Sequence, residues 1–208
     1  MAALEASKPA KKSSSIFSGF GSSKKKAVDD SVLPADYDQE KYGEIHVRFI
    51  KGTKSLGEAA RRWIATCDWR EQNDIDNLRL SKQPCFNFVK SNYPHYIHKQ
   101  ARNGMYCYYE RPGLADFGNL ITNGEGHTPA DIVRHYSFIT EYIWEVLDTE
   151  PEAKMVSIWD CTGVKMSDLS GGPYASRTRN LMKATMATMQ QHCPERSGKL
   201  FIVNAPSW

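Results

Sequence analysis

Apolar positions recur along this chain with two different periods. Leu56, Ala60, Trp63, Ile64 and Cys67 fall three and four residues apart, with Glu58, Arg61 and Arg62 between them. That spacing gathers the apolar set on one side of an α-helix. Ser55 stands three residues before Glu58, the spacing of a capping box. An earlier helix is predicted over 38–51, presenting Ile45, Phe49 and Ile50, and a short one over 83–90 with Phe86, Phe88 and Val89. The pattern returns over 130–147 with Ile132, Val133, Tyr136, Ile139, Ile143, Val146 and Leu147. Thr128, Pro129 and Asp131 supply a cap, a first-turn proline and a first-turn acid there. A last helix runs through Leu181, Met182, Thr185 and Met189 and ends before Pro194.

Between these helices stand short aromatic and β-branched runs: 105–110 (MYCYYE), 155–160 (MVSIWD) and 200–204 (LFIVN). The order from residue 105 is strand, helix, strand, helix, strand. Crossovers of this length imply parallel neighbours and right-handed connections. The near-continuous apolar runs imply strands buried on both faces. The fold class is therefore α/β: a small helical lead-in over 36–90, then a mainly parallel sheet with helices over 92–208. Residues 1–34 form a Lys/Ser-rich tail, and no internal repeat is visible.

Composition sharpens this picture. The 208 residues are 40% hydrophobic and 25% charged, close to globular averages. The net charge of +3 sits mostly in the first 26 residues, which argues against nucleic acid as a partner. In the tail, Lys8, Lys11, Lys12, Lys24, Lys25 and Lys26 flank a Ser/Gly stretch carrying Ile16, Phe17 and Phe20. Two readings stand: a solvated disordered segment, or an arm touching anionic membrane, where each lysine contributes ~1 kcal/mol. The five cysteines are widely spaced without CxxC, which fits free thiols in a reducing compartment. No run of ~18 apolar residues spans a bilayer, and no secretory signal is present. The expected location is cytoplasmic, with membrane contact only peripheral.

The motifs of several enzyme classes are missing. About 18 residues separate the first strand of the α/β region from its helix, without GxGxxG or a P-loop, so no phosphate cradle is predicted. Ser157 lies inside a strand rather than in a GxSxG elbow. The six histidines form no HExxH pair, and His95 and His98 are placed in a loop. Asp160 ends a strand, where it could act as a catalytic acid or hydrogen-bond the turn Cys161-Thr162-Gly163. The chain is read as a non-enzyme without a metal site.

Several stretches together resemble the CRAL-TRIO family of lipid-binding proteins, of the secretory-pathway phosphatidylinositol-transfer and retinaldehyde/tocopherol-binding type. They are Val47-Arg48-Phe49-Ile50, Trp69-Arg70, Tyr93-Pro94-His95-Tyr96, Gly104, the strand around Tyr106 and Glu110, and Asp160 with Gly163. The most specific is Cys193-Pro194-Glu195-Arg196-Ser197-Gly198-Lys199, running into Phe201-Ile202-Val203-Asn204-Ala205-Pro206.

The resemblance implies a mixed sheet flooring an apolar pocket for one hydrophobic molecule, often a phospholipid, and no cofactor besides that lipid. It implies lipid-binding roles for Arg70, Tyr108, Ser157, Glu195 and Arg196: Glu195, Arg196 and Arg70 near a headgroup phosphate, Tyr108 and Ser157 at a choline site. The arginines suit phosphate because a guanidinium donates two parallel hydrogen bonds. Arg196 could instead serve as a cap or form a salt bridge to Glu195 or a neighbouring element. Met155 and Ile97 replace a hydroxyl residue and a tyrosine of the choline site. The expected function is binding of phosphatidylinositol or a related phospholipid for transfer or presentation at cytosolic membrane surfaces. The alternative is a docking module of the same fold for small GTPases or membrane-traffic partners. In the family the fold continues past the point matched by Trp208, so an incomplete domain of weak stability is expected.

Overall fold

The computed structural model describes residues 32–122 and 124–207. Most of the lysine-rich tail, residues 1–31, lies outside the described residues.

The helical lead-in begins with α1 (Gln39–Tyr42), whose N-cap Asp38 accepts hydrogen bonds from the backbone of Glu40 and Lys41 at 2.9 and 3.2 Å. Gly43 then adopts φ +66° and stops it, a conformation that costs little only without a Cβ. The chain restarts as α2 (Val47–Lys51) behind His46. The single helix predicted over 38–51 is thus two. Helix α3 (Leu56–Gln72) opens as expected, with the Ser55 hydroxyl accepting from the Glu58 amide at 3.2 Å. The Glu58 carboxylate reaches back to the amide of Lys54 rather than that of Ser55. Phe49 is fully buried and meets Trp63 edge-on, ring centres 5.2 Å apart. Helix α4 (Phe86–Asn92) leads into the sheet.

Four strands follow in the spatial order of the chain: β1 (His95–Gln100), β2 (Tyr106–Glu110), β3 (Met155–Asp160) and β4 (Ser197–Val203). Strands β2, β3 and β4 are parallel, and β1 runs antiparallel to β2. Strand β1 corrects the expectation that His95 and His98 lie in a loop. It is an edge strand on which only His95 is buried, so polar residues hide its alternation. The second correction concerns β4. Its apolar run predicted burial on both faces, yet Leu200, Phe201, Ile202 and Val203 are between 37% and 55% exposed. Hydrophobicity makes a strand but does not say whether a neighbour covers it.

Between β2 and β3 stand α5 (Phe117–Ile121) and α6 (Pro129–Tyr142), the latter closed by one π-turn over Ile143–Leu147. The Thr128–Asp131 capping box forms in both directions. Between β3 and β4 stand α7 (Met166–Leu169) and α8 (Ala175–His192). Helices α6 and α8 pack together, and Leu181 joins Ile132, Phe88, Val89, Leu120 and Ile121 in one core cluster. A second cluster joins α6 to the sheet through Tyr108, Ile143, Trp144 and Ala153.

The lead-in is fastened to the end of α8. Arg62 donates to the carbonyls of Gln190 and Gln191 at 2.6 and 3.3 Å, supplying a cation to a helix C-terminus. Trp69 stacks on His192 with centres 4.1 Å apart and planes 5° from parallel. Among the described residues, no helix is long and apolar enough to cross a membrane.

Candidate functional site: an apolar cavity between the sheet and two helices

In the parallel ladder, Tyr108 pairs with Ser157 and Glu110 with Trp159. Alternate residues of a strand share a face, so these four side chains, with Met155, point to the same side. They line a cavity of about 390 Å³ between the sheet and helices α6 and α8. Helix α6 contributes Ile132, Tyr136 and Ile139, and α8 contributes Leu181, Met182, Thr185, Met186 and Met189. Four methionines on one wall set suit a ligand of irregular shape, because the unbranched thioether repacks at low cost. Among the residues lining it, none is Lys, Arg or His.

One end of the cavity is polar. Glu110, the last residue of β2, is buried and accepts a hydrogen bond from the Trp159 indole at 2.6 Å. Burial pushes its carboxyl up to about 7, against the opposing effect of hydrogen bonds from Trp159 and Tyr93. The neighbouring Tyr108 is only 7% exposed, and its hydroxyl finds no partner among the described residues. Burial, followed by the charge of Glu110, raises the Tyr108 phenol well above its ordinary value.

Tyr108 and Ser157 are thus brought together in the cavity wall. The other residues singled out in the sequence lie elsewhere. On α3, Arg70 forms a bidentate pair with Glu141 of α6, at 3.0 and 2.9 Å, and also bonds Asp76. Glu195 and Arg196 occupy the turn entering β4. Glu195 has φ +57° and pairs with Lys154 at 3.0 Å. Arg196 is buried and donates to the carbonyls of Ala153 and Glu150 at 2.9 and 3.3 Å. None of these three lines the cavity.

Asp160 takes the turn-forming geometry. One oxygen accepts from the Thr162 amide and hydroxyl (3.1 and 2.7 Å) and from Asn204 (2.9 Å). The other accepts from the Tyr109 hydroxyl at 3.1 Å. The Asn204 bond, then those from Thr162, hold this carboxyl well below the usual range. It ties the ends of β3 and β4 together on the face away from the cavity.

Glu110, Trp159, Tyr93 and the α8 methionines were given no site role from the sequence. Stepping two residues along the strands from Tyr108 and Ser157 reaches Glu110 and Trp159, so alternation held that signal. The methionines needed the helix's docking angle. Among the described residues, all five cysteines are free and no cluster of three or more His, Cys, Asp or Glu is placed to hold a metal. A larger groove of about 640 Å³ between α3, α6 and α8 includes Asp131, Arg134, Arg177 and Asn180, and contains none of the predicted site residues.

Comparison with known proteins agrees with this architecture. The chain is 24% identical over 188 residues to the SEC14 cytosolic factor of Eremothecium gossypii, covering 87% of this chain and 54% of that protein. It is 26% identical over 191 residues to the SEC14 cytosolic factor of Kluyveromyces lactis, covering 88% and 56%. The chain therefore spans a little over half the length of these relatives. The crystal structure of Sfh5 superposes with a TM-score of 0.60 at 16% identity, covering 82% of this chain and 57% of that one, which shows a common fold. The CRAL/TRIO domain family model matches residues 90–208. With its mixed sheet, its helices on the cavity side and the Pro194–Pro206 motif entering and leaving β4, the chain belongs to the CRAL/TRIO domain family.

Proposed function

We propose that this protein binds a single lipid, with its apolar part in the cavity between β2, β3, α6 and α8, for transfer or presentation at cytosolic membrane surfaces. One observation carries the reading. The cavity wall is mostly aliphatic, aromatic and methionine, with Glu110, Thr140, Ser157, Thr185, Gln190 and Ser197 as its polar members, and it opens to the surface beside the half-exposed Met186 and Leu200. Burying a methylene there contributes ~0.8 kcal/mol. A bilayer offers an acyl chain much the same, so loading and release stay near balance. The volume falls in the range of roughly 300–1,000 Å³ typical of sites for one small molecule. The role is holding, not catalysis, and the SEC14 relatives being cytosolic factors by name supports a cytosolic setting.

Phosphatidylinositol or a related phospholipid is the ligand proposed from the family resemblance. For Arg70, Glu195 and Arg196 to reach its headgroup, each would have to leave its present partners: Glu141 and Asp76, Lys154, and the Ala153 and Glu150 carbonyls respectively. Native mass spectrometry of the protein purified without detergent tests the central reading. A stoichiometric mass excess that extracts as lipid is expected. A protein that carries no lipid and takes none from liposomes would refute it.

A further inference from the structure

The lysine run that precedes the described residues meets a surface of opposite sign in the helical lead-in. Between α1, α3 and the loop after α3 lies a recess of about 590 Å³. Asp68, Glu71, Asp74 and Asp76 line it, against Lys41 and Arg70. Lys41 pairs with Asp68 and Arg70 with Asp76, but Arg70 is shared with Glu141 outside the recess. Glu71 and Asp74 have no cationic partner among the described residues, and the Asp74 carboxylate accepts from the Asn77 amide at 2.7 Å. We propose that Lys24-Lys25-Lys26 docks on these carboxylates, and that this docking withholds the run from anionic membrane.

Three points lead there besides the charge. The recess already holds one ammonium in this manner: Lys41 Nζ lies 3.1 Å from Asp68 and 4.6 Å from the centre of the Tyr42 ring. Trp63 stands in the same wall, its indole donating to the Tyr42 carbonyl at 2.9 Å. The chain also arrives at this place. Tyr37 donates to the Gly43 carbonyl at 2.6 Å and packs near Tyr42, ring centres 6.2 Å apart. Lys26 stands eleven residues before Tyr37, a stretch that reaches at most roughly 40 Å. An exposed ion pair alone contributes little, but a short tether supplies an effective concentration on the order of millimolar. Asp29 and Asp30 in the linker carry the sign of the recess, so the attraction falls on the lysine run.

The tests use the full chain. A zero-length carbodiimide should join Lys24, Lys25 or Lys26 to Glu71 or Asp74 within one monomer, read by peptide mass spectrometry. The link should fade at about 0.5 M salt, where the screening length is roughly 4 Å. Vesicles of phosphatidylcholine with about 30% phosphatidylserine then report on the membrane side. Glu71 and Asp74 are exposed, so the fold tolerates their neutral counterparts. Glu71→Gln with Asp74→Asn should bind the vesicles about threefold more tightly than the unsubstituted protein, the worth of exposed ion pairs. With Lys24→Ser, Lys25→Ser and Lys26→Ser already in place, the same two substitutions should change vesicle binding by less than about 1.5-fold, because no lysine run remains to be released. Tail cross-links absent from Glu71 and Asp74, or scattered over the surface acids, would overturn the docking. No gain in vesicle binding, or an equal gain with and without the lysine run, would overturn the withholding from membrane. The lipid-cavity reading stands apart from all of these outcomes.

Discussion

The guanidinium of Arg196 lies 4.2 Å from the centre of the Trp144 ring while its Nη1 donates to the carbonyls of Ala153 and Glu150. An arginine at the entrance of β4 thus clamps the turn that precedes β3. Arg196→Lys keeps the charge but loses the planar fork and its stacking. A loss of about 2 kcal/mol in a urea titration is expected for Lys, and more for Ala. A change below about 0.5 kcal/mol, the size of an ordinary surface substitution, would remove the clamp from the account.

Arg70 and Glu141 join α3 to α6 by two hydrogen bonds, with the Glu141 side chain 10% exposed. Arg70→Ala strands that carboxylate. A cost of roughly 3 kcal/mol is expected, the low end for breaking a buried pair because Arg70 itself is partly solvated. Adding Glu141→Leu to Arg70→Ala should recover much of it. A double variant as unstable as the single one would place the loss in something other than the stranded charge.

His95 and His135 are both buried and meet Nε2 to Nε2 at 3.1 Å. His95 Nδ1 lies 2.7 Å from the carbonyl of Tyr93, so it carries the proton there. Its Nε2 then accepts from His135. Burial lowers the two pKa values to about 4 and about 3, with the mutual repulsion adding to the second. The unfolded chain binds protons below about 6.5 where the folded protein does not, so stability falls as pH drops from about 6.5 toward 4. The maximal slope is about 1.4 kcal/mol per pH unit for each histidine. Urea midpoints between pH 7.5 and 5 for the protein and for His135→Phe should show the substituted protein losing less.

Glu110 contributes the opposite sign. Its folded pKa of about 7 lies above the unfolded value, so the folded state holds a proton that the unfolded state releases between about 4.5 and 7. That contribution costs stability as pH rises through this window, by roughly 3 kcal/mol in total. Glu110→Gln keeps the shape and the acceptor for Trp159. Relative to the unsubstituted protein it should gain stability at pH 8 and little at pH 4. An equal difference at both values would contradict the placement of this carboxyl.

The parts of the fold written in local chemistry were legible in the sequence. The Ser55 and Thr128 caps, strand β3 and the end of α8 before Pro194 depend on residues within a turn of each other. What depended on distant neighbours was not. His95 looked like a loop residue because its burial comes from Tyr136, Tyr108 and His135, on other elements. The run from Leu200 to Val203 looked like a covered strand because apolar character does not report whether a neighbour stands beside it. Within the site, Tyr108 and Ser157 were found through the family resemblance. Glu110 and Trp159, 49 residues apart, meet only because β2 and β3 run parallel in register.

Trp159 makes the central claim directly measurable, because its ring lines the cavity. A phospholipid carrying bromine on its acyl chain quenches an indole only at close contact. The quenching produced by loading such a lipid should be compared between the unsubstituted protein and Trp159→Phe. If the cavity between the sheet and helices α6 and α8 holds the acyl chain, most of the quenchable emission disappears with Trp159. Undiminished quenching in Trp159→Phe, with the lipid still bound, would place the lipid elsewhere on the molecule and contradict the account.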